Sequence, residues 1–168
     1  MKKKFKTLFF VKSSLITLYC ALTLPIPFIS IEELKIISLM TFVMGLFLII
    51  NITSDYVETS NDKIFYKTTF ISNLFGNKSW EVSWKDIKLI SSSPTSQRSK
   101  VYYFITFENQ KILVPQRVEN LQELLLVILE KTGIKTKGMN YISPMWTYKL
   151  LTLISVFMII GEIISFSA

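Results

Sequence analysis

Nine acidic residues lie in the middle of the sequence: Asp55, Glu58, Asp62, Glu81, Asp86, Glu108, Glu119, Glu123 and Glu130. General acid–base chemistry needs two such groups, or an acid and a His, converging on one substrate atom. Metal binding needs three or four ligands at characteristic spacings. None of the nine forms a D-x-D, H-E-x-x-H or E-x-x-H grouping, and the chain has no His at all. The commonest general base and the commonest metal ligand are therefore missing. A Ser nucleophile would lack its usual base, and no G-x-S-x-G surrounds any Ser. The five Gly are isolated, so no loop can cradle a phosphate. One Cys excludes an intrachain disulfide and a multi-thiolate zinc site. The expectation is a non-enzymatic protein with no cofactor, no metal and no small-molecule substrate.

The polar residues that remain suit contact with a surface. Lys2, Lys3, Lys4 and Lys6 precede the first apolar run, Lys131, Lys135 and Lys137 follow the last amphipathic stretch, and Lys149 opens the third apolar segment. Each basic side chain beside an anionic membrane surface adds about 1 kcal/mol of attraction; alternatively these charges only fix topology. Arg98 within a polar loop, Ser91 to Ser99, and Lys100 just after it could touch an anionic group. Asp86, two residues after Trp84, is expected to cap a short turn through its carboxyl group. Trp80 and Trp84 alternate with polar residues, as core side chains of a half-buried strand do. Nucleic-acid binding is not expected, because the central region carries only +3 and no reading motif.

The elements that must hold these residues follow from hydropathy. The chain has 168 residues, half of them hydrophobic, with 19 Lys+Arg against 12 Asp+Glu, and a mean hydropathy of +0.41. That is too apolar for an ordinary soluble domain. Ser13–Ile31 and Ile36–Ser54 are uncharged runs of 19 residues each, separated by Glu32, Glu33, Leu34 and Lys35. Crossing a hydrocarbon core takes roughly 20 helical residues, so a transmembrane hairpin is expected within residues 1–53, with spans at about 8–30 and 36–53. Lys12 can snorkel from the first span, and Pro25 and Pro27 should bend or end it. A third span is expected at 146–166, with Trp146 and Tyr148 as belt residues; the alternative is a helix lying in the interface or packed on the soluble module. Glu162 is its only acid, and either marks an intramembrane polar site or reaches the far interface.

The N-terminus resembles a signal peptide but lacks a small-x-small cleavage site, and Cys20 follows a Tyr too bulky for lipoprotein processing. Residues 1–12 carry +5, the hairpin turn −1 and residues 55–137 +3. The positive-inside rule then places the N-terminus and the middle region in the cytoplasm or stroma, on a bacterial inner membrane or a thylakoid. There Asn77-Lys78-Ser79 would not meet glycosylation.

Residues 54–137 read as one module. Strands are expected at Asp55–Thr59, Lys63–Ile71 (Ile64, Tyr66, Thr68 and Phe70 on one face), around Trp80–Trp84, Lys88–Ser91, Lys100–Phe107 and Lys111–Val114, with Pro115 ending the ladder. A helix follows, with a capping box from Asn120 and Glu123, a stripe of Leu121, Leu124, Leu125 and Ile128, and Gly133 at its end. Leu126 and Leu129 lie outside that stripe, so the helix has either a wide core-facing side or a face for a membrane or partner protein.

The order of two spans, a run of strands, Trp84-Lys85-Asp86-Ile87, a Tyr/Phe-rich strand pair and one closing helix resembles the bacterial PH-like domains fused to membrane spans, the YdbS- and YcxB-like groups. The likeness covers about residues 53–135 and is carried by Lys63–Trp84, the W-K-D-I-K-L-I stretch, and I-L-V-P followed by N-L-Q-E-L-L. It implies a bent antiparallel sheet capped by a C-terminal helix. The overall expectation is thus a membrane α plus β protein that presents a PH-like module to another membrane protein or complex, or to anionic membrane lipid. A weaker likeness is to the thylakoid photosystem I assembly factors, which also place two spans before a soluble domain with a K-D-I segment; the third apolar segment departs from them.

Overall fold

The computed structural model describes residues 2–96 and 99–167. It divides into two compact units, one built from Met1–Leu8 and Asp55–Pro144, the other from Phe9–Ser54 and Met145–Ala168.

The first unit contains two antiparallel sheets and two helices. Strand β1 (Lys3–Lys6) pairs with β2 (Tyr56–Thr59), β2 with β3 (Lys63–Lys67), and β3 with β4 (Trp80–Ser83). The second sheet is β5 (Ile87–Pro94), β6 (Lys100–Thr106) and β7 (Lys111–Leu113), with β6 central. A single 3-10 turn, Trp84–Asp86, joins the sheets. One short helix, α4 (Phe70–Leu74), interrupts the strands, and α5 (Leu121–Thr132) closes the unit. Phe5, Val57, Ile64 and Val82 from the first sheet meet Phe104 from the second and Val114 just after β7, with Leu121, Leu124, Leu125 and Ile128 from α5. Trp84 is buried among them, and its indole N–H donates to the Ser60 carbonyl at 3.1 Å.

Several expectations are corrected here. Residues 3–6, read as a charged lead into the first span, form an edge strand: Phe5 points into the core opposite Val57 while the lysines stay outside. The segment after β7 clamps this strand, since Leu8 N–H donates to Arg117 O and Glu119 N–H to Lys6 O, both at 2.8 Å. The strand from Lys63 stops at Lys67 and not at Ile71. Thr69 then accepts the Ser72 N–H and turns the chain into α4. The strand expected at Lys88–Ser91 runs from Ile87 to Pro94, so the first four residues of the serine-rich loop are strand. It is an edge, where Pro94 needs no N–H for the ladder.

The capping box does not form. Asn120 is left-handed (φ 52°) with no side-chain cap, and Glu123 instead pairs with Lys3 Nζ at 2.7 Å. Asp86 contributes its main-chain carbonyl, which accepts the Phe107 N–H at 3.0 Å, while its side chain is exposed. Gly133 does end α5 in the left-handed region, donating to Leu129 O.

The second unit holds three helices long and apolar enough to cross a membrane: Phe9–Ile29, Glu32–Ile52 and Met145–Ser167. The first breaks at Leu24 into α1 (Phe9–Thr23) and α2 (Pro25–Ile29), as Pro25 dictates. In α3 (Glu32–Ile52) the helix starts four residues before the expected span, because Glu32 and Glu33 favour the positive end of its dipole. Lys149 lies over the Phe10 ring and Phe28 stacks on Phe166, so the α1–α2 stretch and α6 (Met145–Ser167) run parallel. Tyr19 stacks on Phe42 and donates to its carbonyl at 2.9 Å, while Lys12 Nζ reaches Ser54 Oγ, so α3 runs antiparallel to α1. No residue of α3 is buried. Water would be a poor solvent for such a helix, whereas a bilayer suits it.

Gly45 makes room for Tyr19: a methyl group there would overlap the Tyr19 hydroxyl. Gly45→Val is expected to cost about 1 kcal/mol, the scale of an interhelical hydrogen bond in a membrane. Adding Tyr19→Phe should make the second change less costly than it is alone. Thermal unfolding in detergent checks this; strictly additive effects would show that the two side chains do not interact.

Candidate functional site

The sequence-derived candidates fall into three places. Arg98 lies outside the described residues. Lys100 begins β6 and is exposed, as are Lys131, Lys135 and Lys137. A buried amide organises part of this set: Gln116 Nε2 donates to Lys100 O at 3.1 Å and to Asn140 O at 2.7 Å, while its Oε1 accepts the Tyr102 N–H. Tyr102 Oη donates to Gly138 O at 3.0 Å. The segment around Lys137 is thus fastened beside the start of β6, which brings Lys100 and Lys137 to one edge. Lys131, at the end of α5, and Lys135 lie just upstream of this fastening.

The second place is the outer face of α5. Leu126 is 64% exposed and Leu129 38%, while Leu124, Leu125 and Ile128 on the opposite side are buried. The stripe at helical spacing therefore covers the core, and the two extra leucines are left over on the surface.

The third place is Glu162 in α6. One of its carboxyl oxygens is buried and has no hydrogen-bond partner among the described residues. Such an oxygen is costly to leave in apolar surroundings.

A polar centre that sequence reasoning missed sits at Asp55. Its Oδ1 accepts the Thr69 N–H at 3.1 Å, and its Oδ2 accepts the Tyr66 hydroxyl at 3.1 Å and the Ser72 hydroxyl at 2.7 Å. Asn77 Nδ2 donates to Ser72 Oγ at 3.1 Å, and the Thr7 hydroxyl to Asp55 O at 2.7 Å. Asp55 and Ser72 are both buried. A buried acceptor serving three donors is a positioning device: it fixes the start of β2, the end of β3 and α4 against one another. The only signal in the sequence was an acid directly after an apolar run.

Burial, and then the neighbouring Asp55, push the Tyr66 phenol well above its ordinary value. A raised folded-state value means stability that is fully present below about pH 10, the unfolded phenol's value, and lost as pH rises beyond it. Tyr66 should therefore stay silent while the folded chain is titrated. Near-ultraviolet phenolate absorbance of the native chain and of Tyr66→Phe should coincide until unfolding. Loss of one tyrosine's amplitude near pH 10 in the variant would contradict this.

A shallow cleft of about 240 Å³ lies between β1 and the start of α5, lined by Lys3, Lys4, Lys6, Glu119 and Glu123 among others. Among the described residues, no group of three or more Cys, Asp or Glu is placed to hold a metal ion.

No protein-family model matches the chain. It is similar to a protein of the cyanobacterium Synechocystis sp. described as "Uncharacterized protein slr0269", with 28% identity over 150 residues covering 85% of this chain and 75% of that protein.

Proposed function

We propose that the chain is a non-enzymatic integral membrane protein. Its PH-like module would stand at the cytoplasmic or stromal membrane surface and recruit, or help assemble, another membrane protein or complex. Two continuous helices of 21 and 23 residues, about 31–35 Å long, and the broken 21-residue α1–α2 stretch suit the roughly 30 Å hydrocarbon core. A four-stranded and a three-stranded antiparallel sheet closed by one helix support the PH-like reading. The observation that carries the recruiting role is the exposed Leu126–Leu129 face on a helix whose other side already completes the core. Anchoring raises the effective concentration of such a face toward neighbours in the same membrane, so modest contacts suffice. The full-length double variant Leu126→Glu, Leu129→Glu should reach the membrane at normal yield and lose the proteins that co-purify with the native chain in mild detergent. Unchanged co-purification would refute the helix-face contact.

The exposed lysines at 100, 131, 135 and 137 favour a second reading, contact with anionic lipid. In vesicles, tryptic cleavage after Lys131, Lys135 and Lys137 should slow with anionic lipid and recover at high salt. A cleavage rate indifferent to lipid charge would dismiss it.

A further inference from the structure

Helix α4 is built inside out. Its buried residue is Ser72, which is bonded to Asp55, whereas Phe70, Leu74 and Phe75 stand 85%, 77% and 65% exposed. Phe70 and Leu74 are one helical turn apart and share a face, and Phe75 adjoins it. This arrangement reverses what a helix facing water adopts. The segment is firmly made at both ends. Thr69 caps the start by accepting the Ser72 N–H. At the other end the Asn77 N–H donates to Ser72 O and the Gly76 N–H to Asn73 O, with Gly76 at φ 92°, a Schellman closure. Two aromatic rings and a leucine are thus held outward by a fixed scaffold.

The chain itself says what faces them. Asp55, which binds both Thr69 and Ser72, follows Ile52 by three peptide units, so covalent geometry keeps it within about 11 Å of the end of α3. Thr7, bonded to the Asp55 carbonyl, precedes the start of α1 by two residues. The patch is therefore tied to the two places where the chain passes into apolar helix. Resting on the membrane anchoring proposed above, we infer that Phe70, Leu74 and Phe75 insert into the headgroup boundary of the bilayer. They form an interfacial wedge that fixes the module's tilt on the lipid surface. The occupant of this patch is lipid and not a protein partner, and because the contact is apolar it does not depend on anionic headgroups.

The test places a nitroxide at Phe70→Cys and at Leu74→Cys in the full chain carrying Cys20→Ser, reconstituted in phosphatidylcholine vesicles. Reference labels are Val43→Cys in α3 and Glu108→Cys in the β6–β7 turn. Collisions with oxygen should exceed those with a water-soluble nickel chelate at 70 and 74, as at 43, and the order should reverse at 108. Labels at 70 and 74 that behave like 108 while 43 reports lipid would overturn the wedge and leave the membrane reading standing. Labels at 70 and 74 shielded from both reagents would show a protein on the patch and overturn it too. An aqueous signal at 43 would overturn both.

Discussion

Replacing Phe5 with Ala in the full chain is expected to destabilise the β module by about 3–5 kcal/mol, the cost of emptying a core phenylalanine site. Phe5 is buried opposite Val57 in β1, a strand of only four residues, so it is the main apolar contact that holds this edge to the core. Typical domains have a net stability of about 5–15 kcal/mol, so much of the margin would go. A fragment that begins at Asp55 lacks β1 altogether, and with it the main-chain bonds from Leu8 to Arg117 and from Glu119 to Lys6. It should remain unfolded or aggregate. Joining residues 2–8 to residue 55 through a flexible linker should restore a cooperative thermal transition. A fragment 55–144 that unfolds as cooperatively as the linked chain would show that β1 is an ornament.

The second large effect is expected at Asp55. Asp55→Ala strands the Tyr66 and Ser72 hydroxyls and the Thr69 N–H; Ser72 is buried, and Tyr66 and Thr69 are half-buried. Unpaired buried donors cost roughly 1–3 kcal/mol each, so about 3 kcal/mol is expected after partial relaxation. Asp55→Asn should be much milder. Its amide oxygen can still accept from Thr69, and the two hydroxyls can rotate to accept from its NH2 group. Denaturant unfolding monitored by tryptophan fluorescence separates the two variants. Equal losses for Ala and Asn would mean that charge, not hydrogen-bond acceptance, matters at this site. Because the same carboxyl group sets α4, Asp55→Ala should also release Phe70 and Leu74 from their fixed display.

What could be read in the sequence was what local pattern determines. Long uncharged runs marked the first two apolar helices and a shorter apolar stretch around Glu162 the third; alternation marked β4, apolar residues on both faces marked β6, and a 3.6-residue stripe with a terminal Gly marked α5. The features that escaped depend on partners distant in the chain. Lys3–Lys6 contains one apolar residue among lysines and looks like a topological charge run; its partner strand lies some fifty residues away. Ser91–Pro94 has loop composition and becomes strand only because β6 offers a ladder beside it. Phe70 continues the alternation of Ile64 and Tyr66, and only the bonds from Asp55 turn the chain out of the sheet before it. Glu123 sat three residues after Asn120, as a capping box requires, but the ion pair with Lys3 on the unforeseen strand claimed it.

Among the candidate contact residues, Leu126 and Leu129 were legible because helical spacing says which side chains the core cannot use. The Asp55 centre was not, because hydrogen-bond acceptance leaves no periodic trace.

The most direct measurement concerns sidedness. In intact spheroplasts, chains carrying Cys20→Ser and a single cysteine at either Glu33 or Glu108 are treated with a membrane-impermeant maleimide. With the apolar helices crossing the bilayer and the β module inside, position 33 in the hairpin turn labels at once, and position 108 labels only after the membrane is opened. Equal labelling of both positions in intact spheroplasts, or recovery of the chain in the aqueous fraction, would contradict the account.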